Sequence, residues 1–117
     1  MSLIDVTDDS FRAVYQNNDM VVLDFWAIWC GPCQNFIPVF EKVAKDYDDI
    51  VFAKVDTESN QKLPGYFAIR SIPTVIIIRD QLEVFRGSGM SEKDLRTLVD
   101  EVRAADMDEI RKKLGEE

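Results

Sequence analysis

Residues 21–26, Val-Val-Leu-Asp-Phe-Trp, form a nearly continuous apolar run, and after Ala27-Ile28 the sequence Trp29-Cys30-Gly31-Pro32-Cys33 opens a helical pattern. A run of this kind has no polar face to offer water, so it predicts a central strand covered on both sides. Where that strand hands over to a helix, a Cys-x-x-Cys puts two sulfurs on one helical turn, close enough to form and break a disulfide. Cys30 and Cys33 are also the only cysteines in the chain.

The remaining elements follow from periodicity. Residues 3–6 read as a short strand. Thr7 is the expected N-cap of a helix with Asp8 and Asp9 at its positive end and Phe11, Val14 and Tyr15 as its apolar stripe, ended by Asn17-Asn18-Asp19. From Pro32 onward Phe36, Val39, Phe40, Val43 and Tyr47 recur at helical spacing, with Pro38 inside the helix and expected to kink it. Residues 51–56 read as a strand and 59–67 as a short helix. The β-branched strand 74–79 then joins 82–85 in a hairpin across Asp80-Gln81. Ser91 with Asp94 opens a last helix with an apolar face of Leu95, Leu98, Val99 and Val102. This order predicts an α/β fold, a mixed sheet with helices on both faces.

At 117 residues the chain suffices for one domain with its own core. A formal charge of −8 argues against nucleic acid or an anionic membrane as the main partner, since both demand a basic surface. The first twenty residues lack a signal pattern and no apolar run nears the ~20 residues that span a bilayer, so a cytoplasmic location is expected. There a cysteine pair is catalytic or metal-bound rather than structural. The chain has no histidine, which excludes the usual Ser/His/Asp and Cys/His catalysis and every imidazole metal site. Zinc would need carboxylates or a second chain beside the two thiolates, so no metal is expected.

Several segments in order carry a resemblance: Asp24-Phe25-Trp26-Ala27, Trp29-Cys30-Gly31-Pro32-Cys33, Pro38, Ala53-Lys54-Val55-Asp56 and Ile69-Arg70-Ser71-Ile72-Pro73-Thr74. Over residues 3–105 the chain resembles the thioredoxin family. The resemblance implies the thioredoxin fold, a central mixed five-stranded sheet ordered 1-3-2-4-5 and flanked by four helices, with a cis peptide bond before Pro73. It also implies general reduction of disulfide-containing client proteins, with no bound cofactor and with electrons from a thioredoxin reductase. A monomer is expected. The thioredoxin domain is expected over 1–105, and residues 106–117 form a C-terminal helical extension.

Cys30 is the expected attacker, because unpaired N–H groups and the helix dipole at a helix start favour a thiolate. Pro32 suits the first helical position and Gly31 leaves the approach free of a side chain. Cys33, one turn inside, is the expected resolver, which displaces the reduced client and leaves a Cys30–Cys33 disulfide. With no histidine to take the Cys33 proton, Asp24 is the natural base, since burial under the cysteines raises its pKa. The resemblance assigns the matching Asp that role and makes Lys54 its charge partner. The open alternatives are an Asp24 that reaches solvent and an ordinary surface Lys54.

Ile72 and Pro73 are expected to line a groove for the client's extended backbone, and Trp29 to wall it. Gly89 either clears space on the other side or merely serves the turn before Ser91. Trp26, Phe36, Phe40 and Tyr47 read as core. Two rim residues depart from the family pattern: Gln34 stands where a basic residue is common, and Ile28 where a polar or acidic one is. Both make the rim less charged and bear on partner choice. Asp80-Gln81 replaces the frequent Asn-Gly, at a cost of about 1 kcal/mol for a non-glycine residue at positive φ. Asp106 with Glu109 resembles a capping box, and Met107, Ile110 and Leu114 share a helical face. That tail is a packed extra helix, an extension of the last helix or an oligomer contact. Two other functions fit the same motif. One is a disulfide oxidant or isomerase, and the other a redox-sensitive binding module whose partner reads the Trp29–Pro73 surface.

Overall fold

The apolar run becomes strand β2 (Met20–Trp26), buried at every position but the last. This computed structural model describes residues 3–115, so residues 1–2 of the expected unit 1–105 and residues 116–117 of the expected extension 106–117 lie outside the described residues. The other strands are β1 (Leu3–Asp5), β3 (Val51–Asp56), β4 (Thr74–Arg79) and β5 (Leu82–Ser88). The helices are α1 (Phe11–Asn17), α2 (Gly31–Ala44), α3 (Lys62–Tyr66), α4 (Glu92–Ala104) and α5 (Met107–Lys113). The sheet order is β1-β3-β2-β4-β5, with β2 parallel to β3 and antiparallel to β4. That is the expected thioredoxin fold with its C-terminal helical extension.

Strand alternation divides the core in two. Val22, Phe52, Val75 and Ile77 pack with Phe36, Phe40, Leu95 and Val99 on the side of α2 and α4. Val21, Leu23, Phe25, Ala53 and Ile76 pack with Phe11, Leu63 and Phe67 on the side of α1 and α3. Position 24 falls in the first series, so the one acid of β2 points toward α2.

Local readings at the helix starts need correction. α1 begins at Phe11, after Ser10, and Thr7 instead closes the preceding turn by accepting the Ser10 N–H at 3.1 Å on Oγ1. Asp8 serves a different helix. Its carboxylate accepts the N–H groups of Lys62 and Leu63 at 3.2 and 2.9 Å, supplying the cap that α3 lacks locally. α3 is shorter than expected, because 57–59 form turns, and β5 runs three residues past Phe85. α2 continues through Pro38.

At the hairpin Asp80 and Gln81 take φ of 50° and 65°, the paired left-handed geometry of a two-residue turn between twisted strands. The tail does not prolong α4, because Ala105 is extended and α5 starts afresh. Asp106 caps it by accepting the N–H groups of Asp108 and Glu109. Met107 is buried, Leu114 is exposed, and Arg111 Nη2 donates to the Asp80 carbonyl at 2.8 Å. Arg79 ties the same corner, donating to the carbonyls of Val102 and Ala105 at 2.7 and 2.8 Å. The extension is a separate helix packed on the domain beside the hairpin. Among the described residues no helix is long and apolar enough to cross a membrane.

Candidate active site

β2 ends at Trp26, and residues 27–29 carry the chain to Cys30, which is extended at φ −90° and ψ 109° and caps α2. Cys30 Sγ accepts the Cys33 N–H at 3.2 Å, so the sulfur itself satisfies one orphan donor of the helix start. Pro32 sits second in the helix, behind Gly31, one place later than expected, where it still lies in the first turn and forfeits no intrahelical bond. The two Cα atoms are 5.2 Å apart and a disulfide joins the sulfurs. Cys30 is 6% exposed and Cys33 is 0% exposed, so only the first offers any surface to a client.

The chain before β4 meets the sulfurs from the other side. The Ile72–Pro73 bond is cis, and the Ile72 carbonyl oxygen is 3.7 Å from Cys30 Sγ. A groove of about 510 Å³ runs along this side, lined by Trp29, Cys30, Pro32, Ile69, Arg70 and Ile72. A second, of about 380 Å³, lies beyond Pro32 and is lined by Phe36, Pro73, Gly89 and Met90. Trp29 and Ile28 are 67% and 72% exposed, giving the rim two large uncovered apolar side chains. Gln34 donates to the carbonyls of Ala27 and Ile28 at 3.3 and 3.4 Å, and so ties the rim loop to the helix. At Gly31 a Cβ would meet nothing within 4 Å. At Gly89 it would come within 2.9 Å of Pro73 Cγ and 3.2 Å of Phe36 Cγ. Gly89 therefore permits a close approach of backbone to Pro73. A further cavity, lined by Phe11, Tyr15, Tyr66 and Phe67, contains neither cysteine.

Asp24 is 0% exposed, and among the described residues neither carboxylate oxygen has a hydrogen-bond partner. Burial pushes its pKa up to about 7, against a smaller downward pull from the Lys54 ammonium. The reading of Asp24 as a solvent-reaching acid does not hold. Lys54 is the register neighbour of Asp24 on β3, but its Nζ bonds Glu41 Oε2 on α2 at 3.1 Å and lies 4.0 Å from Asp5 Oδ1. With its side chain only 18% exposed it is not an ordinary surface lysine, nor is it hydrogen-bonded to Asp24. The sequence reading did not count Glu41, Arg70 and Met90 among the site residues. Arg70 falls within the Ile69–Thr74 segment but nothing there marks it as groove lining, and Glu41 and Met90 reach the site only through their places on α2 and after β5. Trp26 is partly buried, with an unpartnered Nε1. Phe36, Phe40 and Tyr47 are core.

A cysteine pair joined as a disulfide at a strand-to-helix junction, faced by the Ile72 carbonyl and flanked by two apolar grooves, is built for thiol–disulfide exchange. The described residues contain no group of three or more side chains able to hold a metal ion. The family described as Thioredoxin matches residues 2–103. A Streptomyces coelicolor protein named "Putative thioredoxin 2" is 44% identical over 117 residues, covering 99% of this chain and 87% of that protein. A mutant thioredoxin from Halobacterium salinarum superposes with a TM-score of 0.76 at 33% identity, over 83% of this chain and 87% of that one. The reduced thioredoxin pre-protein of Schistosoma mansoni gives 0.77 at 29%, over 86% and 97%. The chain belongs to the thioredoxin family. It is a thiol–disulfide oxidoreductase whose functional group is the Cys30–Cys33 disulfide, and it acts on disulfide-containing clients.

Proposed function

We propose that the reduced protein attacks client disulfides through Cys30 and resolves through Cys33, with Asp24 as the base. The observation that carries this assignment is the contrast between a surface-reaching Cys30 at the start of α2 and a fully buried Cys33. The Cys30 thiolate is favoured by the helix start and by the Cys33 N–H that already points at its sulfur. It attacks one client sulfur, a Cys30–client disulfide forms, and the other client sulfur leaves as a thiolate and takes a proton. Cys33 then gives its proton to Asp24 and attacks Cys30 Sγ. The mixed disulfide breaks, the second client sulfur leaves as a thiolate that takes up a proton, and two electrons have passed to the client.

Asp24 suits the step because a base works best when its pKa lies near the operating pH, and this carboxyl is pushed up to about 7. Ile72 and Pro73 hold the client's extended backbone along the groove beside Trp29, with Gly89 and Pro73 shaping the far side. Electrons return from a dithiol donor, for which family membership suggests a thioredoxin reductase. The setting of this reading is a monomer in the reducing cytoplasm. In a test with a disulfide-bonded protein and a dithiol donor, the parent chain is expected to turn over and Cys30→Ala to lose catalysis entirely. An intact rate in Cys30→Ala contradicts the assignment.

A further inference from the structure

Lys54 faces a choice of anions, and it bonds Glu41 on the neighbouring helix rather than Asp24 on the adjacent strand. Lys54 is the register partner of Asp24 across the β2–β3 pair, and its ammonium is bonded to Glu41 on α2 at 3.1 Å. Asp24 is left wholly buried with no hydrogen bond, although a cation sits on the adjacent strand and on the same face of the sheet. A buried carboxyl beside a free ammonium would normally close an ion pair, because attraction in a low-dielectric interior is strong. Something must hold the ammonium back. Glu41 does so directly, and Asp5, 80% exposed and 4.0 Å from Nζ, adds a weaker hold from β1.

We propose that Glu41 is a positioning residue for the resolving step: by anchoring the Lys54 ammonium to α2, it prevents that cation from pairing with Asp24 and so leaves Asp24 able to take the Cys33 proton. The inference rests on Asp24 acting as the base. The other neighbours of Asp24 do not compete for this role. β4 presents Val75 opposite it, and Lys54 is the charged group whose field is felt at Asp24. A fully paired Asp24 would be ionised throughout the neutral range but too weak a base to draw the proton from a thiol.

The test uses the full chain with Glu41→Gln, and follows two readouts against pH. One is the Asp24 carboxyl titration by carbon NMR, and the other is the rate at which Cys33 releases a client from a mixed disulfide on Cys30. The expected result is a fall in the Asp24 midpoint of about one pH unit or more, with the rate profile moving the same way. Glu41→Asp restores part of the shift. Lys54→Gln moves the midpoint up, and adding Glu41→Gln to it causes no further change beyond a few tenths of a unit. A merely structural role for Glu41 would not reverse through Lys54 in this manner. An unmoved or raised midpoint in folded Glu41→Gln overturns the inference alone. A lowered midpoint with an unmoved rate profile overturns Asp24 as the base, and the inference with it.

Discussion

Asp24 must be either neutral or costly, because a carboxylate sealed from water without a hydrogen bond keeps none of its hydration energy. With a folded pKa of about 7 against 3.8, the unfolded chain ionises first as pH rises. Stability is therefore unaffected below pH 3.8, falls between there and about 7, and stays reduced above. Asp24→Asn removes the penalty. In urea unfolding it should exceed the parent by up to about 4 kcal/mol at pH 8 and match it near pH 3.5; equal gains at both pH values would contradict the burial argument. In turnover the same substitution should slow resolution most at or below neutral pH, where a thiol least readily ionises unaided. Gly89→Ala brings a methyl against Pro73 and Phe36, so we expect a loss of about 1–3 kcal/mol and a raised KM for protein clients, read by denaturation and by steady-state kinetics. Asp24 was legible in the sequence because it interrupts an apolar run. The hydrogen-bond partner of Lys54 was not, since Glu41 lies thirteen residues away and meets it only once α2 is laid over β3.

At the level of elements, the β4–β5 turn places two non-glycine residues at positive φ. Gln81→Gly relieves the second of them and should raise stability by up to about 1 kcal/mol in chemical denaturation; a loss would mean that the Gln81 side chain holds the turn. The Asp80 carbonyl is also the seat of Arg111, and buried Met107 anchors α5 beside it. Deleting residues 106–117 should cost about 2 kcal/mol, chiefly the burial of Met107, and leave the rate of disulfide reduction unchanged. Strands and the long helices were readable because their apolar periods are sustained. Helix starts were less so. Asp8 has the composition of a first-turn residue, and only the folded chain brings it to the open N–H groups of Lys62 and Leu63. The far end of β5, Arg86-Gly87-Ser88, is a polar edge that carries no strand signal of its own and pairs because β4 offers a partner.

Across the whole molecule the fold brings three separate segments to one place, the start of α2, the chain before β4 and the loop after β5, while Asp24 lies buried on β2 on the α2 side of the sheet. The dithiol motif in its strand-to-helix setting pointed to the reaction and the element order to a mixed sheet with helices on both faces, while the strand order 1-3-2-4-5 came only with the family resemblance. Neither revealed how the grooves are lined, because Arg70 and Met90 reach the site only through the packing of connections. In a chain of net charge −8, the site face is largely apolar, with Ile28 and Trp29 uncovered and Arg70 the charged member of its main groove. Such a face can meet many clients while the acidic remainder keeps the protein dispersed. The central claim is the division of labour between the two sulfurs. Mass spectrometry of Cys33→Ser mixed with a disulfide-bonded client, without added reductant, tests it most directly. The account predicts a stable one-to-one adduct through Cys30, absent from Cys30→Ser. An adduct that forms equally well on Cys33 in Cys30→Ser would contradict it.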